Sequence, residues 1–509
     1  MTESRLDKSK RNITAAILQY ALNMLLSWVG RIIFVRVLSA DYLGINGLFT
    51  NLINILSIAD LGIPAAMAYS LYKPLARCDT QKINSMISFF RKIYFFIAGA
   101  VLVIGLSLIP ILPYIIKLDN PVPNLSSYYV LILINTVGSY VFMYRTTLLT
   151  ADQKGYVLQR YIIIFRFISF VAKVIVLLVF RNYLIYLGCG VFVELCSNVA
   201  QNLGTLHHYP YLKEKVSELP ESDRKAIWKN VFDLFIYRIS GVIQTNTDSI
   251  LISLYAGTVF VGYYSNYQMM ILAVTAVISL IFSNVKASVG NMIASADSPS
   301  EKRLKVYWTM ESLNFWITAF SSISFICLFQ PFIQLSFGSE YVLPFADMIV
   351  IVLIFYTSNI RQTIWVFRET TGLFHETRMV TTVTAVLNII LSAAIGWFYG
   401  MTGVLVATLI SRIVYAWWKE PMILFGKVFG CSAKKYYINY LVQVLLFIIV
   451  CAASYFLCGF INVSNPYISF ALKTVICAVF PNAVFFALFF KNQGLRDLVR
   501  KLIPFKKQI

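Results

Sequence analysis

Histidine is almost missing from this chain. Its three, His207, His208 and His375, lie in or beside polar stretches, which argues against a buried metal centre. Charge is scarce as well: 13% of residues carry it, and Asp and Glu number 23 against 43 Lys and Arg. The eight cysteines, among them Cys189, Cys196, Cys451 and Cys458, sit mostly inside apolar runs, where they behave as small hydrophobes. None shows the paired spacing of a disulfide framework or a zinc site. Long polar stretches are missing too, the one sizeable example being residues 207–229. The opening MTESRLDKSKRNI is polar and basic. The apolar run behind it is too long for a signal-peptide core and has no small-residue cleavage pattern, so it reads as a retained first helix.

What fills the chain is hydrocarbon: 59% hydrophobic residues and a mean hydropathy of +0.72. No soluble globular protein could cover that much apolar surface. Apolar runs of about 20 residues recur from end to end, each long enough to cross ~30 Å of hydrocarbon as a helix. The fold class is therefore an all-α polytopic membrane protein. The expected spans are 13–38, 45–72, 85–116, 125–150, 157–180, 183–206, 229–255, 261–285, 306–337, 343–370, 379–399, 402–426, 437–460 and 467–490, fourteen in all.

Basic residues alternate sides along this list. With the N-terminus inside, Arg5 to Arg11, Lys73 to Lys82, Lys154, Lys213 to Lys229, Lys302 to Lys305, Arg378, Lys427 to Lys435 and the tail from Lys491 to Lys507 are all cytosolic. The other side holds Lys117 and Arg181 as its clear cations. Twelve or thirteen spans would put a basic segment on the wrong side, so both termini are expected in the cytosol. The net charge of +20 is then mainly a topology signal, helped by attraction to anionic phospholipid heads, and no nucleic-acid partner is expected.

The two halves carry matching marks. Asp41-Tyr42-Leu43-Gly44-Ile45 turns outside between spans 1 and 2, and Val259-Phe260-Val261-Gly262-Tyr263 turns outside between spans 7 and 8. Tyr144-Arg145-Thr146-Thr147 closes span 4, as Phe367-Arg368-Glu369-Thr370 closes span 10, and the two offsets are 218 and 223 residues. Six spans per half give two parallel lobes around a central cavity, the architecture of alternating access. The expected division is 1–206 for the N-lobe, 207–228 for a cytosolic linker, 229–430 for the C-lobe, and 431–509 for spans 13 and 14 with a basic cytosolic tail.

Several spans keep polar residues at helical spacing. Gln19, Asn23, Ser27 and Arg31 follow at intervals of four on span 1, one face of a helix that lipid would penalise. Span 2 offers Asn54 in a similar line, with Asp60 nearby; span 5 has Arg166 and Lys173; span 7 has Arg238, Thr245 and Asp248; span 10 has Arg361. Arg31, Arg166, Lys173, Arg238, Arg361 and Arg36 are the candidate cavity cations, suited to a diphosphate because arginine forks match phosphate oxygens. Gln19, Asn23, Ser27, Asn54 and Thr245 are the candidate polar lining. Alternatives stay open: Arg36 snorkels and pairs with Asp41, Arg145, Arg368 and Lys286 snorkel near the cytosolic interface, and the polar stripes serve as interhelical glue. The intramembrane acids Asp60, Glu194, Asp248 and Glu311 either neutralise neighbouring cations or bind a coupling proton or sodium ion. No resident cofactor or metal is expected.

Arg36-Val37-Leu38, then Tyr42-Leu43-Gly44, then Asp60-Leu61-Gly62, and Val261-Gly262-Tyr263-Tyr264 further on, resemble the half-opening segments of Wzx-type polysaccharide flippases. These belong to the multidrug/oligosaccharidyl-lipid/polysaccharide exporter superfamily. The resemblance runs the whole chain in span order; Leu43 departs from it, since the family often has an aromatic residue there. It implies a bacterial inner-membrane protein that moves an undecaprenyl-diphosphate-linked oligosaccharide to the outer leaflet for surface polysaccharide such as O-antigen or capsule. It also implies a first-helix arginine on the diphosphate, which maps to Arg31 and less directly to Arg36; whether the protein works alone or beside a polysaccharide polymerase stays open. Fourteen spans also fit a lipid II flippase, whose extra helix pair forms a groove for the lipid tail. A drug exporter for organic cations would want an acidic cavity, and a membrane polymerase or ligase a large outside loop; this chain has neither, so it is not expected to be an enzyme.

Overall fold

The computed structural model describes residues 5–489 apart from 58–62, 119–121, 153, 215–217, 222, 226, 229–245 and 295–298. Asp60, Arg238 and Thr245 lie outside the described residues. Among those described, all regular structure is helical. That follows from the composition, because in hydrocarbon each backbone N–H and C=O must be satisfied within its own segment.

The labelled elements are α1 (Arg5–Val37), α2 (Ala40–Leu56), α3 (Ile63–Ala76), α4 (Thr80–Ser107), α5 (Leu125–Ala151), α6 (Gly155–Phe180) and α7 (Tyr183–His208). After the helical stretch 246–255 come α8 (Thr258–Ala294), α9 (Ser300–Phe337), α10 (Phe345–Asn359), α11 (Gln362–Thr371) and α12 (Phe374–Ser411). The last are α13 (Trp417–Leu424), α14 (Lys434–Gly459) and α15 (Pro466–Phe489).

Eleven helical segments among the described residues are long and apolar enough to cross a membrane. One of them, Glu376–Phe429, contains two expected spans, because the chain leaves helical geometry at Gly400 (φ 58°, ψ −134°). The reversal there is tight: a Cβ on Gly403 would lie 2.3 Å from the Ile395 carbonyl oxygen. The expected spans 45–72 and 229–255 fall partly outside the described residues. Span 343–370 differs from expectation in being interrupted, since α10 ends at Asn359 and α11 begins at Gln362.

The chain forms two compact units, Met1–Gly262 and Tyr263–Ile509. In the first, α1 packs along α6, α6 along α7, and α5 against both α4 and α7. Its core holds the fully buried Phe49, Phe90, Tyr94 and Tyr129. The two repeated turns meet here. A Cβ on Gly44 would come within 2.1 Å of the Thr258 carbonyl oxygen, and one on Gly262 within 2.9 Å of the Gly44 nitrogen. Glycine is needed in both motifs because backbone touches backbone. At the other end, the Tyr209 hydroxyl donates to Asp152 Oδ2 (2.7 Å), and Lys154 bridges to the same carboxylate (2.6 Å). Burial and that carboxylate push the Tyr209 phenol well above its ordinary range, so it stays a donor.

In the second unit α9 packs against α10, α14 and α15. Its core is aromatic: Tyr307 meets Phe367, Phe425 and Phe429 edge-on, and Phe315 meets Phe485. The repeat seen in sequence reappears as a contact made once inside each unit. Arg145 Nη1 donates to Asn202 Oδ1 (2.6 Å), and Arg368 Nη1 donates to Glu420 Oε1 (3.0 Å). Asn202 and Glu420 stand 218 residues apart, one of the two offsets read from the motifs.

Candidate functional site

The polar stripe on α1 faces α6. Gln19, Leu22 and Asn23 of α1 and Ile162, Ile163 and Arg166 of α6 line one narrow crevice. Asn23 Oδ1 is buried in it with no hydrogen-bond donor among the described residues. A Cβ on Gly30 would make ordinary van der Waals contact with the Phe170 ring of α6, at 3.5 Å. Ser27, between Asn23 and Arg31 on the stripe, is exposed.

Further along, the cations gather around one tyrosine. Arg31 is half-buried and within electrostatic range of Tyr186 on α7. The Lys173 ammonium lies over the Tyr186 ring, 5.1 Å from its centroid, a cation–π contact. Tyr186, Gly190 and Glu194 follow at intervals of four on α7, so they share a face. A Cβ on Gly190 would sit 2.3 Å from Lys173 Cε and 2.7 Å from its Nζ, so this glycine makes the lysine's berth. Arg166 and Glu194 are both in electrostatic range of Lys173. Arg166 and Lys173 are two turns apart on α6, about 10 Å of rise. Three cations, Arg31, Arg166 and Lys173, thus share the α1–α6–α7 faces with one acid, Glu194. Such a strip attracts anions, with guanidinium forks to grip them.

Gly190→Ala is expected to push Lys173 off Tyr186 while leaving the fold intact, since the clash is with the end of a flexible side chain. Its loss of activity should match that of Lys173→Met; a fully active Gly190→Ala protein would show that the lysine's position does not matter.

The remaining predicted residues stand elsewhere. Arg36 is exposed; Asp41 accepts from Ser39 Oγ (3.2 Å), and no salt bridge joins it to Arg36. Asn54 Nδ2 donates to Asn246 Oδ1 (3.3 Å), and Asn51 Nδ2 to Ser249 Oγ (3.0 Å), bonds that hold α2 to the stretch 246–255. Asp248 is buried on that same stretch. In the second unit Arg361 and Arg368 are 7% and 6% exposed, and both donate to Glu420, itself 1% exposed. Arg368 was expected to snorkel; it is buried because Glu420 supplies a countercharge. Lys286 pairs with Glu369. Sequence reasoning missed Tyr186, Gly190 and Glu420.

Cys327, Cys458 and Cys477, from α9, α14 and α15, bring their sulfurs within 4.8 Å of one another, all buried. Their spacing in sequence gives no sign of this. They pack as small apolar side chains where three spans meet.

The first half of the chain decides the family. The family described as polysaccharide biosynthesis protein matches residues 9–286. This chain belongs to that family. No curated protein sequence matches the chain. Among solved structures it is similar to a lipid II flippase, MurJ, in an inward closed conformation (16% identity, TM-score 0.63, covering 96% of this chain and 99% of that one). It is also similar to an inward-facing multidrug resistance transporter of the MATE family (13% identity, TM-score 0.60, covering 80% and 94%). A third is a MOP superfamily transporter from Pyrococcus furiosus, whose binding pocket is described as of reverse polarity (12%, 0.51, covering 82% and 96%). At these identities the likeness is one of fold, and it fits the Wzx-type resemblance. The chain is a multi-pass membrane protein, and these three structures are those of a flippase and two transporters.

Proposed function

We propose that this family member is a flippase that carries an undecaprenyl-diphosphate-linked oligosaccharide from the cytosolic to the outer leaflet of a bacterial inner membrane, with both termini cytosolic. The observation that carries this reading is the strip of Arg31, Arg166 and Lys173, with the acid Glu194 in range of Lys173. A diphosphate is the anion such spaced forks suit, and stations about 10 Å apart form a track more than a clamp. Asn23 Oδ1, an acceptor awaiting a donor, suits a sugar hydroxyl at the crevice. The six-span lobes 1–206 and 229–430, joined by 207–228, would alternate access while the polyprenyl tail stays in lipid. A surface-polysaccharide polymerase, of O-antigen or capsule, would take the product on the far side.

A second reading, lipid II transport, draws on one observation. The MurJ structure spans 96% of the chain against 80% for the inward-facing multidrug transporter, so its fold extends over more of the chain. Reconstitution separates the readings. Liposomes holding the protein are expected to expose a labelled polyprenyl-diphosphate disaccharide to an outside enzyme much faster than empty liposomes. Faster exposure of lipid II than of several non-peptidyl glycans would favour the second reading. Efflux of organic cations with no glycan exposure would overturn both.

A further inference from the structure

The second unit holds a carboxyl that the proposed function does not use. Glu311 lies about a third of the way along α9 and is 1% exposed. Both of its oxygens are buried, and neither makes a well-formed hydrogen bond to a described residue. The Thr363 hydroxyl of α11 lies against it. Four tyrosines are in range of its charge: Tyr307 one turn back on α9, Tyr356 on α10, and Tyr436 and Tyr440 on α14. All four are buried, and the Tyr307 hydroxyl is itself short of a partner. Arg361 and Glu420 are in range of Tyr436, as Glu311 is, both Arg361 and Arg368 are turned to Glu420, and Lys435 lies over the Trp308 ring, next to Tyr307.

The helix break sets the stage for this carboxyl. Asn314, three residues beyond Glu311 on α9, donates to the Ile360 carbonyl (2.6 Å), the backbone exposed between α10 and α11. Thr363 stands in the first turn of α11, just past that break. Glu311 therefore faces the start of a helix whose junction with its predecessor is pinned by Glu311's own helix. Interrupted helices of this kind are where transporters build ion sites.

We propose that Glu311 is a proton-binding site. A bare carboxylate with unfilled oxygens is costly in such surroundings. A proton forms an O–H bond on one oxygen and lets it donate to Thr363 or Tyr307; the proton arrives from water and returns to water. A sodium ion suits the chamber less. It would bring the same charge as a proton but needs several oxygen ligands at once, and the Ile360 carbonyl beside the chamber already accepts from Asn314. With Glu311 ionised, the group Arg361, Arg368, Glu420 and Glu311 carries no net charge; protonated, it carries one positive charge. Proton occupancy thus changes the field at the α10–α11 break. The site stands whichever lipid-linked glycan the protein moves.

Infrared difference spectra of the full-length protein in lipid nanodiscs, acid against alkaline, test the assignment. The wild type is expected to show a protonated-carboxyl C=O band that fades as pH rises. Glu311→Gln should lack the band while keeping the wild-type circular dichroism, and Glu311→Asp should restore it at a shifted frequency. Thr363→Val should move the midpoint of its titration. A spectrum without this band at any pH, or a band that survives Glu311→Gln, overturns the proposal. So does loss of the wild-type band on adding sodium at fixed pH, which would make a metal cation the occupant.

Discussion

Glu420→Gln is expected to cost the protein most of its thermal resistance. Glu420 is the shared countercharge of two buried guanidiniums, those of Arg361 and Arg368. Breaking a buried pair by removing one partner costs about 3–5 kcal/mol, because the remaining charge is left uncompensated. Here two are left. Against a net stability of about 5–15 kcal/mol, that is a large share. The equivalent contact in the first unit, Arg145 to Asn202, is milder, with a neutral acceptor that is worth about 1.5–3 kcal/mol to a charged donor. Heating detergent-solubilised protein and measuring what stays monodisperse should rank wild type above Asn202→Leu, and Asn202→Leu above Glu420→Gln. Replacing the trio by Arg361→Met, Arg368→Met and Glu420→Leu should recover stability, since apolar side chains of similar volume avoid the desolvation cost. A Glu420→Gln protein as heat-resistant as the wild type would mean that the trio carries no such weight.

Arg31→Ala should slow flipping without unfolding the chain. Arg31 is half-buried beside Tyr186, on the face it shares with Gln19, Asn23 and Ser27. A charge-assisted hydrogen bond to a phosphate is worth about 1.5–3 kcal/mol, so its loss from the rate-limiting passage is about 10- to 100-fold. Arg31→Lys keeps the charge and loses the fork, and should fall between the two. Lys173→Met should act on the same path, because both cations bracket Tyr186. Normal flipping by Arg31→Ala would remove this arginine from the track.

Much of this could be read from the residues alone. The four-residue spacing from Gln19 to Arg31 gave one face of one helix, and the structure turns the Gln19 and Asn23 end of it to Arg166 on α6. The repeated glycine turns were legible as motifs; that Gly44 and Gly262 touch was not, since contact between distant segments leaves no local spacing. Glu420 was invisible for the same reason. It stands 59 residues from Arg361 and 52 from Arg368, in a run whose other residues read as an ordinary span end. Gly190 looked like any small residue in a span until Lys173 was seen to lie across it. The break between Asn359 and Gln362 was hidden because neither Gly nor Pro marks it, and its backbone is held instead by Asn314 from another helix.

The central claim is that the cations on α1 and α6 recognise a diphosphate. The most direct measurement loads the same proteoliposomes with two lipid-linked disaccharides of equal tail and sugar, one joined through diphosphate and one through an uncharged linker. Their exposure at the outer face is then timed. The account predicts rapid exposure of the diphosphate form and a rate near that of empty liposomes for the neutral one. Equal rates for both, well above empty liposomes, would contradict it and leave the cationic strip without a role in recognition.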